Sequence, residues 1–144
     1  SDEKIKQAVK AGAKSGGNYR AADWSKSLQT QSEKFGGIDL VIDGAGGRGF
    51  NELVSIINPG GRLVTYAATA GNPDAIDLRK IFWKQITLQG STMGHHDDFK
   101  NMLALFEQFK IRPIVDQVFA LDQYKSAYHR MMHAEQFGKI ILRA

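Results

Sequence analysis

The run Gly44-Ala45-Gly46-Gly47-Arg48-Gly49 places glycines at the first, third and sixth positions of a hexapeptide. That spacing lets a strand-to-helix turn hold a dinucleotide's pyrophosphate on backbone N–H groups. The run follows the apolar stretch Ile38 to Asp43 and precedes a helical pattern, as such chemistry requires. A cradle of this kind also needs a partner at the tip of the next strand: an acid for a ribose hydroxyl, or a basic or hydroxyl group for a 2′-phosphate. The next strand ends in Ala67-Ala68-Thr69-Ala70-Gly71, with no acid or base at its tip. The fingerprint is incomplete, and the pattern favours glycines that let a tight turn pass close to something.

A second role suits the same loop. Ligands of open parallel sheets lie across the carboxyl ends of the strands. Three successive strand ends are Asp43-Gly44-Ala45-Gly46, Tyr66-Ala67-Ala68-Thr69 and Ser91-Thr92-Met93-Gly94. Their small residues leave room for a flat ring and for backbone hydrogen bonds to it. His95-His96-Asp97-Asp98 offers two imidazoles and two carboxylates, but adjacent side chains in a turn rarely converge on one metal ion. Asp97 or Asp98 reads instead as the cap of a helix that buries Phe99 and Met102. Phe82-Trp83 reads as core or interface.

The elements that must position these groups alternate. Asp2 to Gly12 has Ile5, Ala8 and Val9 on one helical face. Asn18 to Arg20 reads as a brief strand. Asp23 caps a helix carrying Trp24 and Leu28, and Ile38 to Asp43 is a buried strand. Phe50, Leu53, Val54 and Ile57 recur at helical spacing, and Asn58-Pro59-Gly60-Gly61 ends that helix. Arg62 to Ala67 and Ile86 to Ser91 are further strands around a short helix at Leu78 to Lys84. Then come a helix through Phe99, Met102, Leu103 and Phe106, a strand at Val115 to Ala120, a helix through Tyr124, Ala127, Tyr128 and Met131, and a strand at Lys139 to Leu142. Helices between strands demand crossover connections and hence a mostly parallel sheet. The fold class is α/β, a doubly wound parallel sheet in one domain.

The 144 residues are 42% apolar and 24% charged, ordinary for a soluble domain, and no apolar run reaches the roughly 18 residues of a membrane span. Zero cysteines exclude disulfides and thiolate zinc sites within this sequence. The net charge of +4 is dispersed, without the basic stripe and exposed aromatics of a nucleic-acid binder, and suits a phosphorylated anion as ligand. The start at Ser1 lacks a secretory signal, which implies the cytoplasm.

Read in order, Asp2-Glu3-Lys4 leading to Ala11-Gly12-Ala13, Asn18-Tyr19-Arg20, Ile38-Asp39-Leu40-Val41-Ile42-Asp43, Pro59-Gly60-Gly61-Arg62 and Gly138-Lys139-Ile140-Ile141-Leu142 resemble the medium-chain dehydrogenase/reductase superfamily. The likeness is greatest to its quinone-oxidoreductase-like and zinc-type alcohol-dehydrogenase-like members. It runs over nearly the whole chain. The resemblance implies a Rossmann-like cofactor domain whose glycine-rich first turn, and whose catalytic domain with any zinc ligands, precede Ser1. It also implies cofactor contacts at Ser1, Lys4 and Tyr19, which resemble the residues around an adenosine 2′-phosphate, and at Lys139.

The expected function is the NADPH-binding portion of an oxidoreductase, with NADH the second choice and no zinc held by these residues. The nicotinamide lies against Gly44, Ala45, Gly46, Ala67, Ala68, Thr69, Thr92 and Met93. The substrate is a small molecule, and no general acid or base is assigned. The alternative is a non-catalytic α/β binding or assembly module; a methyltransferase-like domain is weaker, since it too needs a glycine-rich turn after its first strand. As in resembling proteins, the strand at 86–91 is expected at a sheet edge, pairing with its twin in a homodimer. The edge of Ile38 to Asp43 is expected to lack a neighbour.

Overall fold

A computed structural model describes all 144 residues. The chain divides into two compact units, Ser1–Met93 and Gly94–Ala144. In the first, β1 (Ile38–Asp43), β2 (Ile57–Thr65) and β3 (Thr87–Gly90) form a parallel sheet in the order β1-β2-β3. Helices α1 (Asp2–Lys10) and α2 (Trp24–Glu33) precede it, and α3 (Phe50–Ile56) and α4 (Leu78–Trp83) make the crossovers. In the second unit α5 (His96–Gln108) precedes β4 (Val115–Ala120), α6 (Tyr124–Met132) and β5 (Lys139–Arg143), and β4 and β5 pair in parallel as a sheet of their own. The α/β class and the parallel pairing agree with the sequence reading. No helix is long and apolar enough to cross a membrane.

The core of the first unit is Phe50, Val54, Ile57, Leu63 and Ile86. Each such side chain removed from water contributes about 1.5–3 kcal/mol. The helical stripe of α3 therefore lands on the β2 side of the sheet. β1 is one edge of the sheet, so the edge expected to lack a neighbour lacks one, but the strand is not buried as expected: Leu40 is 55% and Ile42 67% exposed. β3 is the opposite edge, and all four of its residues are exposed.

Several local expectations need correcting. Asn18 to Arg20 is a turn, because the Asn18 side chain accepts from Arg20 N–H at 3.2 Å and its carbonyl accepts from Ala21 N–H at 2.8 Å; such local bonds compete with a ladder. Ile57 is buried as predicted but opens β2 instead of closing α3, with φ −69° and ψ 139°. Asn58 to Gly61 then bulge out within β2, since the register jumps from Ile38 opposite Ile57 to Leu40 opposite Arg62. Asp23 stands at the start of α2 but makes no side-chain cap bond. At α5 the N-cap is His95, whose Nδ1 accepts from Asp97 N–H at 3.4 Å, while Asp98 accepts from His95 N–H at 2.7 Å. Phe99 and Met102 are 56% and 38% exposed, so α5 does not bury them. Phe82 and Trp83 are exposed and so lie outside the core, one of the two places expected for them, their rings tilted against each other at 5.5 Å.

Two cations fasten the scaffold. Lys84 donates to the carbonyls of Ser55 and Ile57, giving oxygens at the end of α3 a positively charged donor. Burial, and secondarily the Lys80 ammonium, hold its pKa below the usual lysine value. In the second unit Arg130 grips Asp116 through Nε at 2.6 Å and Nη2 at 3.0 Å. The hydrogen bond to Asp116 keeps that guanidinium charged.

Candidate functional site

The carboxyl ends of β1 and β2 open into a cleft of about 1030 Å³ within the first unit. Its wall includes Tyr19, Asp43, Ala45, Gly46 and Thr69, together with Trp24, Leu28, Arg48, Asn72 and Asp74. Four of the predicted contact residues, Tyr19, Ala45, Gly46 and Thr69, therefore share one cavity.

The chemistry of the glycine loop is decided by Asp43. This residue ends β1 and is only 6% exposed. Its Oδ1 accepts from Ala45 N–H and its Oδ2 from Gly46 N–H, both at 3.0 Å. Gly47 N–H donates to Gly71 O at 2.7 Å. Three consecutive donors that a pyrophosphate would need are thus engaged, two of them by a carboxylate that would repel it. The loop is an anion nest filled by its own chain.

The glycines answer to this seam. The loop after β1 runs against the loop after β2: Tyr66 N–H donates to Asp43 O at 3.1 Å, Ala70 N–H to Ala45 O at 2.8 Å, and Thr69 Oγ1 to Gly44 O at 3.2 Å. A Cβ on Gly44 would lie 2.5 Å from the Tyr66 hydroxyl. Gly46, at φ 66° and ψ −136°, would place a Cβ 2.6 Å from Gly71 O. Glycine there permits close approach of two backbones. What the cleft then offers at the strand ends is a small-residue floor of Ala45, Gly46 and Ala70 whose amides are already engaged.

The other predicted positions lie elsewhere. Ala67 and Ala68 belong to the loop after β2, outside the cleft wall, and Ala68 approaches Gly46. Thr92 and Met93 follow β3; both are exposed, Met93 at φ 37°. The loop that holds them continues the ladder through Ser91 N–H to Thr65 O at 2.9 Å. Ser1 is the N-cap of α1, accepting from Lys4 N–H at 3.5 Å. Asn18 Nδ2 donates to Asp2 Oδ1 at 3.2 Å, which ties the Tyr19 turn to that helix start. Lys139 opens β5 in the second unit, its N–H on Ile114 O at 2.8 Å.

Sequence reasoning missed Asp43 as the loop's anion and Trp24, Leu28 and Arg48 as cleft wall. For Asp43 a signal exists: an acid directly before a glycine-rich turn is placed to accept from the next amides. No group of three or more histidine, aspartate or glutamate side chains is gathered to hold a metal. The chain has no cysteine, so no thiolate ligand is present in these residues.

The family model described as zinc-binding dehydrogenase matches residues 11–142. The chain is 28% identical to the zinc-type alcohol dehydrogenase-like protein YogA of Leptosphaeria maculans, covering 99% of the chain and 41% of the relative. To the quinone oxidoreductase-like protein 2 of Rattus norvegicus it is 31% identical, covering 99% of the chain and 43% of the relative. A crystal structure described as an NAD-dependent alcohol dehydrogenase superposes with a TM-score of 0.88 at 27% identity, over 100% of this chain and 42% of that one. The alcohol dehydrogenase of Aeropyrum pernix shares the fold, with a TM-score of 0.82 at 21% identity, over 100% of this chain and 41% of that one. The chain thus spans about two fifths of the length of the relatives it matches. Its parallel α/β fold is Rossmann-like, and the chain belongs to the zinc-binding dehydrogenase family of medium-chain oxidoreductases.

Proposed function

We propose that this chain is the nicotinamide-side portion of the cofactor domain of a cytoplasmic, NADPH-dependent oxidoreductase that reduces a carbonyl, quinone or enone, or oxidises an alcohol. The observation that carries the reading is the Asp43 carboxylate on the amides of Ala45 and Gly46. It suits the loop to a nicotinamide ring, uncharged when reduced and cationic when oxidised, and leaves the pyrophosphate to a glycine-rich turn supplied by another part of the parent enzyme. When bound, the nicotinamide supplies hydride chemistry. The share of these residues is to seat the ring at the ends of β1 and β2 and to keep the loop rigid through the seam to Gly71. Relatives more than twice as long favour this reading over a free-standing binding module.

The preference for a 2′-phosphate rests on Ser1, Lys4 and Tyr19, which the Asn18 to Asp2 bond holds in one neighbourhood. Two carboxylates stand in the same neighbourhood: Asp2 accepts from the uncharged Asn18 amide, and Glu3 lies 3.9 Å from Lys6. One solved relative is described as NAD-dependent, so the cofactors must be compared directly. In the parent enzyme, Lys4→Glu is expected to raise KM for NADPH about tenfold or more, since a lost charge-assisted contact is worth about 1.5–3 kcal/mol. KM for NADH should stay nearly unchanged. Equal losses for both would remove Lys4 from phosphate recognition.

The exposed edge of β3 is proposed to pair with its counterpart in a second copy. Its exposed Thr87-Leu88-Gln89-Gly90 supports this reading, because an unprotected edge of β-prone sequence invites pairing.

A further inference from the structure

His129 and His133 stand one turn apart at the end of α6, both exposed, with ring centroids 4.1 Å apart and planes 28° from parallel. Their order comes from the helix end. His133 is the C-cap residue, and both its backbone N–H, at 3.1 Å, and its Nδ1, at 2.8 Å, meet the His129 carbonyl. A carbonyl oxygen only accepts, so Nδ1 of His133 carries the hydrogen. The Nε2 of a neutral ring is then a free lone pair. Stacking holds the His129 ring alongside, and neither ring has another side-chain partner.

We infer that the His129–His133 pair is a bidentate site for a first-row divalent transition metal ion with imidazole preference, such as nickel or copper. Residues four apart share one helix face. Cis ligation at about 2.0–2.1 Å requires the two in-plane nitrogen lone pairs to converge on one ion, so the rings, now stacked 28° from parallel, must swing apart about their side-chain torsions, which their exposure permits. The negative end of the α6 dipole lies at the same place and favours a cation. Arg130 would oppose one, but its guanidinium is committed to Asp116 and to Glu135, the latter at 3.4 Å. Water completes the coordination sphere, so the site is open. A metal bridging the two rings fastens the last turn of α6. His95 and His96 cannot do the same: they are sequence neighbours, and His95 Nδ1 is engaged by Asp97 N–H.

The test is calorimetric titration of the untagged 144-residue protein with nickel chloride, repeated for His129→Gln, His133→Gln and His96→Gln. Thermal melts with and without nickel accompany each titration. Expected is one nickel ion per chain with submillimolar affinity and a saturable rise in Tm. Binding should weaken at least about tenfold in His129→Gln and in His133→Gln, and stay unchanged in His96→Gln. His129→Gln leaves the backbone cap of α6 intact, so a loss there is a loss of ligation and not of fold. Absent binding, binding that survives either substitution in the pair, or binding lost in His96→Gln overturns the assignment.

Discussion

Replacing Asp43 by alanine is expected to destabilise the chain by about 3 kcal/mol, since hydrogen bonds to a charged acceptor contribute about 1.5–3 kcal/mol each and the two here are not independent. Asp43 is buried, so water cannot fully replace its carboxylate on Ala45 N–H and Gly46 N–H. Urea unfolding of both proteins measures the loss. The substitution has a second signature: it vacates the nest. Inorganic phosphate at tens of millimolar should then raise the Tm of Asp43→Ala more than that of the unaltered chain, because an anion can take the place of the lost carboxylate. Unchanged stability, or an equal phosphate response in both proteins, would show that the carboxylate does not fill the loop.

Gly46→Val should cost a similar amount, about 2–4 kcal/mol, for a different reason. Its φ of 66° with ψ of −136° belongs to glycine's own region, and holding a side-chain-bearing residue in such a sparsely populated conformation costs on the order of 1–3 kcal/mol. The added Cβ would also meet the Gly71 carbonyl oxygen at 2.6 Å. Relief of that clash opens the seam and loses the Gly47 to Gly71 hydrogen bond, worth about 0.5–1.5 kcal/mol. Gly71→Ala is the comparison. Gly71 also has positive φ, 88°, but a Cβ there meets nothing within 4 Å. Its loss should be the smaller of the two. If the two variants melt together, the close approach of the loops carries no energy of its own.

The sequence reading succeeded where a signal was local and lasted several residues. The apolar runs at Ile38–Asp43 and Val115–Ala120 became strands with those bounds, because a short run of β-prone residues is defined by its own side chains, although most of those side chains are exposed. It failed where one position could serve two conformations. Ile57 completes the α3 stripe at i+7 and is buried in either reading, so periodicity cannot say whether it ends a helix or begins a strand. Asn18-Tyr19-Arg20 carries β-prone character around Tyr19, and the Asn18 side chain overrode it. Phe99 and Met102 are apolar at helical spacing, but burial requires an opposing surface that spacing alone does not reveal. The cleft was half legible. Small residues at strand ends pointed to loops that line the cleft, and the amides of Ala45 and Gly46 are engaged by Asp43, an acid whose partners are two and three residues away. Contacts such as Lys84 with Ser55, or Arg130 with Asp116, join residues 29 and 14 apart and are created only by the tertiary fold.

Gly44–Gly49 is proposed as a ring seat closed by Asp43 and not as a pyrophosphate cradle. Titrating the 144-residue chain with NADPH, and following the fluorescence of the reduced nicotinamide, tests it most directly. A cooperative thermal melt should first establish that the protein is folded. Without a cradle the complex lacks several charge-assisted hydrogen bonds of about 1.5–3 kcal/mol each, which shifts a micromolar Kd to about millimolar or beyond. The predicted result is no saturation at low micromolar NADPH, with tight binding restored in a longer chain that adds a glycine-rich turn. Saturable binding by the folded 144-residue chain at low micromolar NADPH would contradict the account and make the loop a working phosphate site.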